Sequence, residues 1–387
     1  MVQTQIDDSK HSPDVVVIGG GVIGLTIARA LAHRGAGEIC LIERASLGHE
    51  ASFAAAGMLA PQAEANSQDD FFRLACQSRD LYPDFASSLY DETGIDVELD
   101  TTGTLYIALT YHDLVEIERR YEWQTAAGLE VEKLTASQAL ELEPCISQSV
   151  RGALRFPRDL QVENRRLLSA LANSVAKLGV TVLSGTTVES VKIERDEVRG
   201  VHTLRGFISC PNVVVAAGTW SSLLKLSQPS EKRAMMVDPV RGQMISFDAR
   251  PQLTRHVIYS PRGYIVPRRD GRLLAGSTSE HAGFAKQVTA GGISAILQHA
   301  QEISPSVSAL PIVDTWAGLR PRAPDSLPVL GPCDEIEGLF YATGHYRNGI
   351  LLAPVTGELI AKAVVAGHVS SLLAAFSPNR FNLAPVS

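Results

Sequence analysis

The sequence predicts a two-lobe fold in which an α/β lobe with a parallel sheet carries an inserted α+β lobe built on antiparallel sheet. Three features predict it. Residues 14–43 read as strand, glycine turn, helix and strand. Two later all-apolar runs, 213–216 and 339–342, have the pattern of strands buried on both faces and come from distant parts of the chain. Between them, over 240–278, the pattern changes to short strands separated by turn residues.

The first unit is the most specific. Residues 15–18 are four apolar residues in a row, and Gly19, Gly21 and Gly24 follow in G-x-G-x-x-G order. From 23 to 31 the apolar positions take helical spacing, and Gly35 closes the helix. A second strand, 39–42, ends at Glu43, nineteen residues after Gly24. Each part has a mechanical reason. Gly19 makes the tight turn, Gly21 lets a pyrophosphate approach the backbone, and Gly24 lets helix and strand pack closely. Unpaired N–H groups at the helix start attract phosphate, and an acid at the second strand end accepts hydrogen bonds from a ribose. The alternative is an ordinary strand-to-helix turn with a solvated acid. Taken together, strand, turn, helix and acid make a Rossmann-like dinucleotide site the better reading.

With 387 residues the chain can bury two lobes without disulfides or metals. Cys40, Cys76, Cys145, Cys210 and Cys333 are scattered and odd in number, which argues against a disulfide framework or a zinc site and suits a reducing, cytoplasmic compartment. Residues 1–13 read as a loose tail and lack a basic start leading into an apolar core, so no secretory signal is expected. The C-terminal apolar stretch carries Glu358 and Lys362, which speaks against a membrane span. A net charge of -7 disfavours nucleic acid as a partner.

Along the chain, the Ala- and Gly-rich segment 45–64 reads as a functional loop. Ala54, Ala55, Ala56 and Gly57 can bring backbone against a flat ring, and Met58 can cover it. Helices are expected at 69–90, 111–127, 136–142, 162–178, 293–302 and 350–365. Strands are expected at 104–109, 180–183, 188–193, 198–204, 244–247, 256–260, 264–267, 273–276 and 313–317, with a hairpin turn at 268–271. Gly218 follows the 213–216 strand and either lets backbone approach a ligand or is a plain turn glycine. The nucleotide lobe is expected to comprise 14–87, 147–232 and 320–367, and the substrate lobe 88–146 and 233–319.

Only one complete phosphate-binding turn is present, so one dinucleotide is expected and the second electron partner is small, molecular oxygen being the simplest. Tyr264, Arg320 and Arg347 are the candidate catalytic residues. A guanidinium matches a carboxylate with two parallel charge-assisted hydrogen bonds, so two of them select an anionic substrate. Against this, Arg320 in GLRPRAPD can pair with Asp325, Arg347 can be a solvated loop charge, and Tyr264 can be strand core.

The blocks VVVIGGGVIG, IER, AAAGMLAPQAE, VVVAAGTWS, GYIVPRRDGRLLAGST, TWAGLRP and GHYRNGILLAPVTG, in this order, resemble the D-amino acid oxidase superfamily of flavoproteins, and most closely its glycine oxidase branch. The resemblance runs over 14–365. It implies a non-covalent FAD, with Glu43 and Arg44 at the adenine ribose and Val22, Ile23 and Gly24 at the phosphates. Ala51, Ser52, Ala56, Gly57 and Met58 would lie along the flavin, Val188 at the adenine, and His345, Tyr346, Arg347, Asn348, Gly349, Ile350 and Leu351 at the pyrimidine end. Arg320 and Arg347 match the substrate-contacting arginines and Tyr264 the pocket tyrosine. Arg262 and Ser279 stand where the branch carries histidine and methionine, and both are expected at the pocket mouth.

The implied activity is oxidative deamination of glycine, sarcosine or small D-amino acids, in a homo-oligomer, with a hand-off of the imine to a thiazole-forming enzyme in thiamine synthesis. Two other readings stay open: a flavin dehydrogenase using a quinone or protein acceptor, and a non-catalytic dinucleotide-binding regulator.

Overall fold

The computed structural model describes residues 12–227 and 235–381. The expected tail, apart from its last two residues, and the lobe boundary at 232/233 lie outside them. A six-stranded sheet runs in the order Val329–Pro332, Leu339–Thr343, Asn212–Val215, Val15–Ile18, Ile39–Glu43, Thr181–Ser184. All its pairs are parallel except that of the first two strands.

Alternation along the first strand explains its unbroken apolar run. Val15 and Val17 face a core shared with Leu25, Leu74, Leu171 and Leu352 of four helices. Val16 and Ile18 face Val191, Ile193, Val198 and Val201 of a four-stranded sheet on the other side. A strand covered on both faces has no polar side to show. The four helices are Val22–His33, Asp70–Thr93, Asn164–Lys177 and Gly349–Ala366. The last is long and apolar enough to cross a membrane, yet two thirds of it is buried inside the protein. Its Gly357 lies against Thr26 so closely that a side chain would collide.

The second lobe is an eight-stranded sheet in the order Ile312–Arg322, Asp238–Asp248, Arg272–Gly276, Gly263–Pro267, Val257–Ser260, Thr104–Ala108, Gly152–Phe156, Glu132–Thr135. It is antiparallel except where Val257–Ser260 meets Thr104–Ala108. Helix Ala290–Ile303 packs on it through Ile296, Ala300 and Ile303.

Three expectations are corrected here. Residues 152–156, assigned to the nucleotide lobe, pair with Thr104–Ala108 in the eight-stranded sheet. The strand Ile312–Arg322 runs through the expected boundary at 319/320, carrying Arg320 on the same strand as the second lobe's edge. The segment read as a loop holds two single helical turns, Ala51–Ala54 and Pro61–Glu64, and a short strand, Met58–Leu59, paired with Leu160–Gln161. Turns of four residues are too short to leave a periodic signal.

Candidate active site

One cavity of about 530 Å³ lies between the two large sheets. Its near end is formed by the glycine turn: Gly19, Gly21, Val22 and Ile23 line it, with Glu43, Arg44 and Val188. Gly19 has φ +109 and any side chain there would strike the Ala216 carbonyl, so this turn requires glycine. Gly24 does not line the cavity, contrary to its expected phosphate contact. A Cβ there would run into the Gly19 carbonyl, and its role is the close packing of helix on strand.

Glu43 is buried and holds the turn itself, accepting from the Gly20 N–H at 2.7 Å and the Ala45 N–H at 2.9 Å while still facing the cavity. The helix start is less open than expected, because the Val22 N–H donates to Ser52 Oγ at 3.0 Å. Arg44 pairs with Glu50 and lies over the Trp220 ring, 3.8 Å from its centroid. Trp220, Thr186, Thr187 and Thr219 also line this end; Thr219 and Trp220 belong to the block VVVAAGTWS, whereas Thr186 and Thr187 lie in no motif.

The far end collects Ala51, Ser52, Ala56, Gly57, Met58, Gly218, Tyr264, Arg320, His345, Tyr346, Arg347, Asn348, Gly349 and Ile350. Gly57 has φ +71 and packs against the Val162 carbonyl, and the neighbouring Ala56 carbonyl accepts from Arg268 Nη2 at 2.6 Å. The helix Gly349–Ala366 begins at the cavity wall, where its unpaired first-turn N–H groups place partial positive charge. Tyr82 and Ser78 fix that start by donating to the Ile350 and Leu351 carbonyls. Leu351 itself does not line the cavity, a second correction. His345 is buried with Nε2 3.1 Å from Thr356 Oγ1, and burial pushes its pKa down to about 3, so it is neutral in the working range.

Arg320 donates to the Thr278 carbonyl at 3.0 Å and to Ser277 Oγ at 2.7 Å. Among the described residues it has no carboxylate partner: Asp325, its expected alternative, is taken by Arg380 at 2.8 Å. Burial lowers its pKa from the usual guanidinium value but leaves it a cation. Arg347 is no free loop charge. Its Nη2 donates to Glu64 Oε1 at 3.1 Å and to Tyr259 Oη at 2.9 Å, and Glu64 raises its pKa. Tyr264 is buried at the cavity wall beside Met244 Sδ, 3.4 Å away, and stacks on Tyr259.

Arg262 departs from expectation. It does not line the cavity but pairs with Glu302 at 2.9 Å and Asp113 at 3.4 Å. Ser279 is exposed and does not line the cavity either; its Oγ is 3.4 Å from Oη of Tyr346, which does. The site residues that sequence reasoning missed are Glu64, Tyr259 and Ser277. Glu64 closes the block AAAGMLAPQAE and Tyr259 lies in an expected strand, but neither had a signal to set it apart.

A family model described as DAO, FAD dependent oxidoreductase, matches residues 14–363. The chain belongs to this family. Its relatives include a glycine oxidase of Geobacillus kaustophilus, 36% identical over 96% of this chain and 97% of the relative. A bifunctional protein ThiO/ThiG of Trichormus variabilis is 36% identical over 95% of this chain, which spans 55% of that longer protein. The crystal structure of a glycine oxidase from Geobacillus kaustophilus superposes with a TM-score of 0.89 at 35% identity, covering 96% of this chain and 99% of the other.

As a member of the FAD-dependent oxidoreductases, the protein should have a cavity that suits FAD, and it has. The glycine turn and Glu43 fit a phosphate and a ribose, and the small residues 54–57 leave room for a planar ring. Among the described residues, no cluster of metal-ligating side chains competes with this reading.

Proposed function

We propose that the protein oxidises glycine and other small amines of the same type, sarcosine and small D-amino acids, with molecular oxygen as acceptor. The observation that carries this is Arg320, a guanidinium without a carboxylate partner among the described residues, in the same cavity as the dinucleotide turn. Glycine oxidases among the relatives support the substrate class.

Bound FAD would supply the hydride acceptor for the substrate α-carbon and the point from which two electrons leave for oxygen. The protein's own part is to bind and orient. Arg320, held by Ser277 and the Thr278 carbonyl, would take the substrate carboxylate, which fixes the α-carbon. Tyr264 and Met58 would wall the side-chain space and exclude water. His345, neutral because buried, adds no charge to oppose the positive helix start beside it. No side chain is needed as a base if the amine enters uncharged. The amine leaves as an imine, water converts this to glyoxylate and ammonia, and oxygen becomes hydrogen peroxide.

The ThiO/ThiG relative supports a further part of the proposal, delivery of the imine to a thiazole-forming enzyme. The free cysteines suit a cytoplasmic enzyme. The test is a peroxide assay of the purified yellow protein with glycine, sarcosine and D-alanine. Peroxide formed with glycine supports the reading. Turnover only with an artificial electron acceptor would replace it with a dehydrogenase.

A further inference from the structure

The substrate end of the cavity holds three charged side chains, Arg320, Arg347 and Glu64. The other charged residues on its wall, Glu43, Arg44, Glu50, Glu189 and Lys225, belong to the nucleotide end or its rim. Arg347 donates one nitrogen to both Glu64 Oε1 and Tyr259 Oη, whereas Arg320 bonds only to uncharged oxygens of Ser277 and Thr278. One of the two cations is therefore neutralised by the protein itself, and the substrate end carries a single net positive charge.

Glu64 is held in place from both sides. It is the last residue of the helical turn Pro61–Glu64. The buried Asp159 accepts the Gln62 and Ala63 N–H groups at 3.2 and 3.1 Å, and Arg120 donates to the Ala63 carbonyl at 2.9 Å. Three hydrogen bonds thus fix the backbone of the turn that carries Glu64, and the ion pair with Arg347 fixes its carboxylate. A half-buried carboxylate with 22% of its side chain exposed acts on its neighbours through a medium less screening than water.

On the reading given under Proposed function, we infer that Glu64 sets substrate specificity by cancelling Arg347, so that the site receives one carboxylate and rejects a second. A dicarboxylate has to place its second anionic group in the remaining space, where Glu64 repels it and Arg347 is already bound. A like charge set against the wrong ligand discriminates alongside the contacts made to the right one, and here Glu64 both presents that charge and withholds Arg347. Glu64→Gln removes the repulsion and frees Arg347 together, and turns the pair into a receptor for a second carboxylate.

The test uses the FAD-loaded protein and non-reacting anions, acetate and malonate, in mildly alkaline buffer where malonate is a dianion. Binding is read from the change each causes in the visible spectrum of the flavin. E64Q is expected to shift the malonate-to-acetate affinity ratio at least tenfold toward malonate. In the same preparation the turnover ratio of iminodiacetate to glycine should rise with it. A malonate-to-acetate ratio within twofold of wild type overturns the inference.

If E64Q does not fold, R347Q and the double variant E64Q/R347Q decide. R347Q leaves Glu64 uncompensated and should weaken acetate, and the double variant should recover it; no recovery overturns the inference. These outcomes are separable from those for the proposed reaction. Altered anion selectivity in a protein that forms no peroxide from glycine retains the inference and removes the reaction, and peroxide with unaltered selectivity does the reverse.

Discussion

Arg320 depends on a residue that has no side chain. Gly242 lies on the neighbouring strand, in register opposite Gly318, and a methyl group there would run into the Arg320 guanidinium. The glycine therefore makes the space in which the cation lies, and its backbone conformation is not in the left-handed region, so the effect of a substitution is local. Gly242→Ala is expected to displace the guanidinium and lose one charge-assisted hydrogen bond to substrate, about 1.5–3 kcal/mol, or roughly tenfold to a hundredfold in kcat/KM. FAD content should stay at the wild-type level. Steady-state kinetics alongside flavin absorbance checks both; wild-type kinetics would show that the methyl group is accommodated elsewhere.

At the scale of elements, the cavity wall is assembled from pieces that do not touch in sequence, and Arg268 binds three of them. It is buried, and donates to the carbonyls of Ala56 and Val162, to Gln161 Oε1 at 3.2 Å and to Asn164 Oδ1 at 3.3 Å. The cavity-lining segment at Ala56, the Leu160–Gln161 strand and the start of helix Asn164–Lys177 are thereby tied to the hairpin Gly263–Gly276. Burial lowers its pKa to about 10, still a cation at neutral pH. Arg268→Met keeps the apolar stem and leaves several buried acceptors without donors, with an expected loss of about 3 kcal/mol of stability. Urea unfolding should report it, and FAD affinity should fall in parallel because Ala56 and Gly57 are released. An unchanged midpoint would mean that water replaces the guanidinium.

For the whole molecule, stability and cofactor site are linked through His345. Its folded pKa, about 3, lies below the ordinary histidine value, so the unfolded chain takes up a proton that the folded chain does not. Its contribution is complete above about pH 6.5 and is lost as pH falls toward 3. His345→Gln should flatten the fall of the thermal midpoint across that window, as differential scanning calorimetry would show; parallel profiles would contradict a neutral buried imidazole.

Much of this architecture was legible from the chain, for reasons that differ by feature. The glycine turn and the long helices could be read because backbone geometry and 3.6-residue periodicity leave local marks. Gly242, Glu64 and Ser277 could not, because their roles exist only where distant segments meet. Arg262 misled because its place was expected from the family position alone: it lies at the Ser260–Gly263 turn and reaches Glu302 on a helix. The strand Gly152–Phe156 was missed because its place is set by its partner Thr104–Ala108 and not by its own short pattern.

The central claim is that Arg320 holds an amino acid's carboxylate in a cavity built for FAD. Anaerobic mixing of the yellow protein with glycine, followed by flavin absorbance in wild type and in Arg320→Ala, tests it most directly. The account predicts bleaching by glycine in the wild type and, in the variant, bleaching only at glycine concentrations higher by roughly a hundredfold. Equal bleaching of the two proteins at low glycine, or none in the wild type, would contradict it.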